Sequence, residues 1–173
     1  MQVIHCEPSR HAAAILAIFN DAIANSTALY DYQPRTLERM TAWFDAKLKG
    51  NYPIIGVENE TGELMGFASY GTFRAYPAYK YTVEHSVYVA AAFRGRGLGK
   101  MLLEETIAAA GRQDYHMLIG AIDAENAASI ALHKRLGFRQ CGMIQEAGFK
   151  FGRWLDLVFY QLVLNTPARP VDG

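Results

Sequence analysis

One stretch restricts this chain more than any other. Ser86-Val87-Tyr88-Val89 is a β-branched and aromatic strand end, and Arg94-Gly95-Arg96-Gly97-Leu98-Gly99-Lys100 follows, leading into the apolar helix start Met101-Leu102-Leu103. A strand that runs through a glycine turn into a helix commits the chain to an α/β architecture. It also sets free backbone N–H groups at the positive end of a helix dipole. Such a cradle suits a diphosphate, because glycines let anion oxygens come close to the main chain. Arg94, Arg96 and Lys100 could add charge-assisted hydrogen bonds. The same glycines also serve as ordinary tight-turn residues, and the loop by itself leaves both readings open. Two better-known phosphate motifs are excluded. No Gly-Lys-Ser/Thr ending is present, and the glycines do not follow the G-x-G-x-x-G order of a first βαβ unit.

The elements around this turn read in the order β-α-α-β-β-β-α-β-α-β-β. Strands are expected near residues 2–6, 53–58, 63–73, 81–89, 115–122, 138–147 and 155–164. Helices are expected near residues 8–25, 36–49, 98–112 and 125–136, with Gly50 as a C-terminal cap of the second. Helices set among a long antiparallel run predict an α/β fold with a mixed, mainly antiparallel central sheet flanked by helices. With 173 residues, 51% of them apolar, the chain suits a single domain, expected over residues 1–165, with a frayed tail after it.

Seventeen basic residues balance seventeen acidic ones, so the broad positive field that nucleic-acid binding needs is missing. The longest early apolar run, Ala12 to Phe19, is far short of the ~20 residues that span a bilayer. A protein outside the membrane, in the cytoplasm, is expected. Cys6 and Cys141 stand alone, without zinc-ligand or disulfide-framework spacing. They read as small fillers in a reducing compartment, and no metal site is expected.

A second segment lies downstream, Asn126-Ala-Ala-Ser129-Ile-Ala-Leu-His133-Lys-Arg-Leu136-Gly137-Phe138. On a helix, Asn126, Ser129 and His133 share one face. Taken singly they also read as an N-cap, a surface serine and an exposed histidine. Together the two segments resemble the GNAT superfamily of acetyltransferases. Its diphosphate signature is met by Arg94, Gly97 and Gly99, and its second motif by Asn126, Ser129 and the Leu136-Gly137-Phe138 stop. The resemblance covers residues 2–164 in element order. It implies a GNAT-type sheet, acetyl-CoA as co-substrate, Arg94 to Lys100 with Asn126 and Ser129 as coenzyme contacts, and backbone pairing of Val87, Tyr88 and Val89 with the pantetheine arm.

Thr82 to Val89 and Gly148 to Asp156, with Ala68-Ser69-Tyr70-Gly71, are similar to the phosphinothricin and methionine sulfoximine acetyltransferases. That branch acetylates the α-amino group of small amino-acid analogues. Some herbicide-resistance members carry His where Phe151 stands, which sets this chain closer to the methionine-derivative members. An amine attacks a thioester only when neutral, so a base is needed, and the resemblance places it at Glu84. His85 and Ser86 share that segment as substrate contacts. His133 occupies the place where the superfamily usually has a Tyr meeting the departing thiolate. An amino-acid carboxylate calls for an Arg, and Arg74, in the Arg74-Ala75-Tyr76 loop, lies in the branch's substrate-binding segment. Tyr30, Tyr32 and Tyr76 are candidate pocket walls. The resemblance also implies a homodimer, with Phe149 to Asp156 as either interface or core. The rival readings are a peptide N-terminal acetyltransferase, with an open groove, and an acyl-CoA sensor that has lost catalysis.

Overall fold

The computed structural model describes residues 1–172. Its elements run β1 (Gln2–His5), α1 (Pro8–Asn25), α2 (Leu37–Lys49), β2 (Ile54–Glu58), β3 (Leu64–Thr72), β4 (Thr82–Val89), α3 (Leu98–Arg112), β5 (Met117–Asp123), α4 (Ala127–Arg135), β6 (Arg139–Lys150) and β7 (Arg153–Val163). Hydrogen-bonded neighbours form a seven-stranded sheet in the order β1-β2-β3-β4-β5-β7-β6. The pairs β1/β2, β2/β3, β5/β7 and β6/β7 are antiparallel, while β4 and β5 are parallel. The mixed, mainly antiparallel sheet and the element order are as the sequence predicts.

The chain forms two compact units. The first holds residues 1–70 and 86–106, the second residues 71–85 and the described residues from 107 on, so β4 and α3 each contribute residues to both.

In the first unit Pro8 opens α1, and the N–H of Glu7 at the cap donates to Nδ1 of His11 at 2.8 Å. That leaves Nε2 of His11 to donate to Glu58 at 3.1 Å, and Arg10 donates to the other Glu58 oxygen at 2.9 Å. Both oxygens of a buried carboxylate thereby have partners at the start of the helix. Ile15, Ile18, Phe19 and Ala22 fall at helical spacing and are buried. Ile15, Ile18 and Phe19 build a core with Met40, Phe44, Ile54, Leu64 and Phe67, and the rings of Phe19 and Phe67 meet edge-on at 5.0 Å. Thr36 caps α2 by accepting from Arg39 N–H. Gly50 is the C-cap of α2, as expected, its N–H donating to the Ala46 carbonyl at 3.1 Å, but it is not left-handed. Its φ is −83°, and the left-handed turn is made one residue later by Asn51, at φ 53°.

In the second unit β6 and β7 form a hairpin that turns at Phe151 (φ 52°) and Gly152 (φ 75°). Two positive-φ residues in succession suit the twist of a tight hairpin. β6 is therefore longer than expected, reaching Lys150, and it is the edge strand of the sheet. The register with β7 shifts twice, and Glu146, at φ 50°, donates its N–H to Asp156 at 2.8 Å within the second shift. Phe149 and Trp154 pack on each other at 5.1 Å yet stay exposed, as do Met143, Ile144 and Phe151. The tail expected to fray is tied back. Thr166 donates to the Tyr115 carbonyl, its own carbonyl lies 2.8 Å from His116 Nδ1, and Val171 N–H donates to Tyr81 Oη at 3.1 Å. Cys6 and Cys141 are free thiols. Burial pushes Cys6 up to about 12, which keeps it inert, whereas Cys141 lies exposed on β6 rather than filling a core.

Candidate active site

The glycine loop has the backbone geometry of an anion cradle. Gly95 and Gly97 adopt φ 77° and 79°, and α3 begins immediately afterwards at Leu98. A Cβ at either glycine would meet nothing within 4 Å. The glycines are thus required by their backbone conformation, not by crowding, and the space above them is open. Leu98 is buried, so its side chain is not offered to a ligand, and half-buried Tyr88 packs its ring against Phe19 and Phe67. Gly66 on β3 has a different reason: a Cβ there would lie 2.7 Å from the Tyr88 carbonyl oxygen and 3.2 Å from Val89 Cα. Sequence reading passed over this close approach, because nothing local to Gly66 signals it.

The basic side chains of the loop already have partners inside the first unit. Arg94 donates from Nε to the Val89 carbonyl at 3.2 Å and from Nη2 to Asp21 at 3.1 Å. Arg96 donates to the Ala92 carbonyl and lies over the Phe93 ring, and Lys100 pairs with Glu104. All three are exposed, and ion pairs so placed are individually weak.

The second unit carries the titratable candidates. On β4, alternation places Val83 and His85 on one face and Glu84 on the other. Burial raises the carboxyl pKa of Glu84, and the nearby Arg74 guanidinium pulls it part of the way back. Arg74, whose charge acts on Glu84, stands on an exposed loop that also carries Ala75 and Tyr76. A short 3-10 turn, Pro77–Tyr79, shapes this loop.

His85 does not join Glu84. It is buried, 3.3 Å from His133 through their Nε2 atoms, with the two rings stacked at 5.1 Å and Phe138 edge-on to both. Expected as a substrate contact, it faces the interior of the second unit instead. His133 is likewise buried, not exposed. Its Nδ1 lies 2.7 Å from the Ser129 carbonyl, so that nitrogen carries the proton and Nε2 accepts from His85. In this arrangement His133 has no Nε2 proton to hand to a thiolate, contrary to the role expected of it. Burial, and for His85 the neighbouring imidazole, depress both pKa values, that of His85 to about 3. Gly120 makes room for the pair, because a Cβ there would sit 3.0 Å from both Nε2 atoms.

The grouping expected on α4 is present. Asn126 is the N-cap, accepting from Ser129 N–H at 3.1 Å, and Ser129 Oγ lies 3.4 Å from His133 Nδ1. Asn126 thus has a structural task whatever else it contacts. Gly137, at φ 88°, ends the helix. Tyr32 and Tyr76 are exposed, while Tyr30 is half-buried. Among the described residues, no helix is long and apolar enough to cross a membrane.

Comparison with known proteins agrees with this geometry. The family model described as Acetyltransferase (GNAT) family matches residues 17–138. An L-methionine sulfoximine/L-methionine sulfone acetyltransferase of Pseudomonas paraeruginosa is 49% identical over 155 residues, covering 90% of each chain. A phosphinothricin N-acetyltransferase of Alcaligenes faecalis is 37% identical, over 88% of this chain and 77% of its own. Among solved structures, a GNAT superfamily phosphinothricin acetyltransferase from Sinorhizobium meliloti, in complex with acetyl-CoA, superposes with a TM-score of 0.94 at 32% identity, over 99% of this chain and 94% of that one. A cradle for an anion, a strand that leads into it and a match across the motif-bearing residues together place this chain in the GNAT family of acetyltransferases.

Proposed function

We propose that this acetyltransferase moves the acetyl group of acetyl-CoA to the α-amino group of small amino-acid analogues, methionine sulfone and methionine sulfoximine first among them. One observation carries the reading. Glu84, held up in pKa by burial and faced by Arg74, stands on the strand whose following residues run directly into the positive-φ glycine loop. A single element thereby links a base to a diphosphate cradle.

In this reading the backbone N–H groups of the Arg94-to-Lys100 loop take the coenzyme diphosphate, with Arg94, Arg96 and Lys100 adding charge. The backbone of Val87 to Val89 pairs with the pantetheine arm and polarises the thioester oxygen, and Asn126 and Ser129 complete the coenzyme contacts. Arg74 receives the substrate carboxylate, with Ala75, Tyr76 and Ser86 beside it. Glu84 removes the ammonium proton, directly or through a water. The neutral nitrogen then forms the C–N bond, the C–S bond breaks, and coenzyme A leaves as thiolate to be protonated by solvent. The transfer uses no metal.

The relatives' names support the substrate class, and Phe151, standing where some herbicide-resistance members carry His, supports ranking the methionine derivatives ahead of phosphinothricin. The exposed Met143, Ile144, Phe149, Phe151 and Trp154 on the edge hairpin support a homodimer, which sedimentation across a concentration series tests. The reading sets the enzyme in the cytoplasm, with acetyl-CoA. A thiol-release assay with acetyl-CoA, run over methionine sulfone, methionine sulfoximine, phosphinothricin and a set of N-terminal peptides, tests the whole. Turnover of the analogues is expected, and activity on peptides alone would overturn the substrate assignment.

A further inference from the structure

Asp21 lies on α1, 73 residues before the arginine it pairs with. Its carboxylate is fully used: one oxygen accepts from the Asn25 side chain at 2.8 Å, the other from Arg94 Nη2 at 3.1 Å. Arg94 in turn donates from Nε to the carbonyl of Val89, the last residue of β4, at 3.2 Å. The two donors taken, Nε and Nη2, lie along one edge of the guanidinium. The terminal edge, formed by Nη1 and the second Nη2 hydrogen, is the other two-pronged face of the group, and it is geometrically able to grip two oxygens of one phosphate. Asp21 therefore need not be displaced for Arg94 to bind an anion.

The other cations of the loop are held differently. Arg96 is fixed by a backbone carbonyl four residues earlier, and Lys100 by Glu104 on its own helix. Arg94 alone is reached by an acid from a distant helix, which joins α1, the end of β4 and the loop through one side chain. A flexible Arg loses much rotamer freedom on binding, and an Arg already fixed loses less.

We propose that Asp21 is a positioning residue for the coenzyme: it holds Arg94 with its terminal edge presented to the diphosphate. The inference rests on the reading of Arg94 as a diphosphate contact and adds a residue that the glycine motif does not contain.

The test measures KM for acetyl-CoA, kcat, and the Kd of coenzyme A by calorimetry, for Asp21→Ala, Asp21→Asn, Arg94→Gln and the Asp21→Ala/Arg94→Gln double variant. Asp21→Ala is expected to raise KM and Kd by about three- to fivefold, the scale of a partly exposed ion pair, with kcat unchanged. Asp21→Asn keeps an acceptor oxygen for Nη2 and should recover much of the loss. In the Arg94→Gln background, Asp21→Ala should add nothing. Tighter coenzyme binding by Asp21→Ala would show that Asp21 competes with the diphosphate, and would overturn the proposal. So would an unchanged affinity, or an equal loss with and without Arg94. If Arg94→Gln itself leaves the Kd unchanged, the diphosphate assignment of Arg94 fails, and the positioning role falls with it. Thermal melting of each variant without ligand separates lost affinity from lost folding.

Discussion

The loop at the start of α3 and the cluster around β4, β5 and α4 are built on different principles. The loop is local. Its conformation comes from glycines at positive φ within a few residues, its donors are backbone, and a Cβ at Gly95 or Gly97 meets no neighbour. The cluster is assembled. His85, His133 and Gly120 come from three separate segments of the second unit and meet on one side of β4, while Glu84, on its other side, is set by burial and by the charge of Arg74. The contrast implies that the backbone of the loop tolerates changes far from it, with Arg94 as its one long-range tie, whereas the cluster transmits any change through packing and proton placement. Damage to the first should appear in coenzyme KM, and damage to the second in kcat, substrate KM or stability.

The sharpest attempt to break that division is Glu84→Gln. Loss of the base should lower kcat about 100- to 10,000-fold, with the Kd of coenzyme A unchanged. A parallel rise in Kd would mean that the base also orders the coenzyme region. Next in size is Gly120→Ala. Two imidazoles held by hydrogen bonds would crowd a methyl group at 3.0 Å and have to shift by a few tenths of an ångström, so a loss of about 1–3 kcal/mol, the usual cost of overpacking, is expected in denaturant unfolding. Acetyl-CoA KM should hold in whatever fraction stays folded. Gly97→Ala is the counterpart in the loop. Forcing a residue with a Cβ into φ 79° costs about 1–2 kcal/mol, which steady-state kinetics should register as a five- to tenfold rise in acetyl-CoA KM with kcat kept.

Two smaller effects depend on pH. Glu84 works as a base only when ionised, and burial raises its pKa, so the acid limb of kcat/KM should lie above the ordinary carboxylate range. Arg74 opposes that rise, hence Arg74→Gln should move the limb further toward neutrality while raising KM for the amino-acid substrate. A limb that stays put would separate Arg74 from Glu84. The histidine pair acts on stability instead. His85 has its folded pKa lowered from 6.5 to about 3, so below 6.5 the unfolded chain binds protons that the folded chain does not. Stability contributed by the neutral pair is present above that pH and fades as pH falls toward 3. Melting curves between pH 7 and about 4.5 should show this slope in the parent and a shallower one in His85→Phe.

The edge hairpin illustrates the limits of pattern reading. Phe149, Phe151 and Trp154 looked equally fit for core or interface, since aromatic residues serve both. Only the path of β6 along the sheet edge leaves them exposed. The side of β4 that His85 takes is legible in the sequence. Alternation along β4 already sets it opposite Glu84, and Val83, a certain core residue, shares its face.

The order of elements, the glycine loop, the α4 cap at Asn126 and the Gly137 stop were all determined by the sequence itself, because helix periods, strand alternation and positive-φ glycines are properties of neighbouring residues. The pairing of His85 with His133, the room that Gly120 and Gly66 provide, the anchored tail and the grip of Asp21 on Arg94 were decided only by the tertiary structure. Each depends on a partner tens of residues away whose identity imposes no local pattern, so the chain had to fold before the chemistry of the site could be stated.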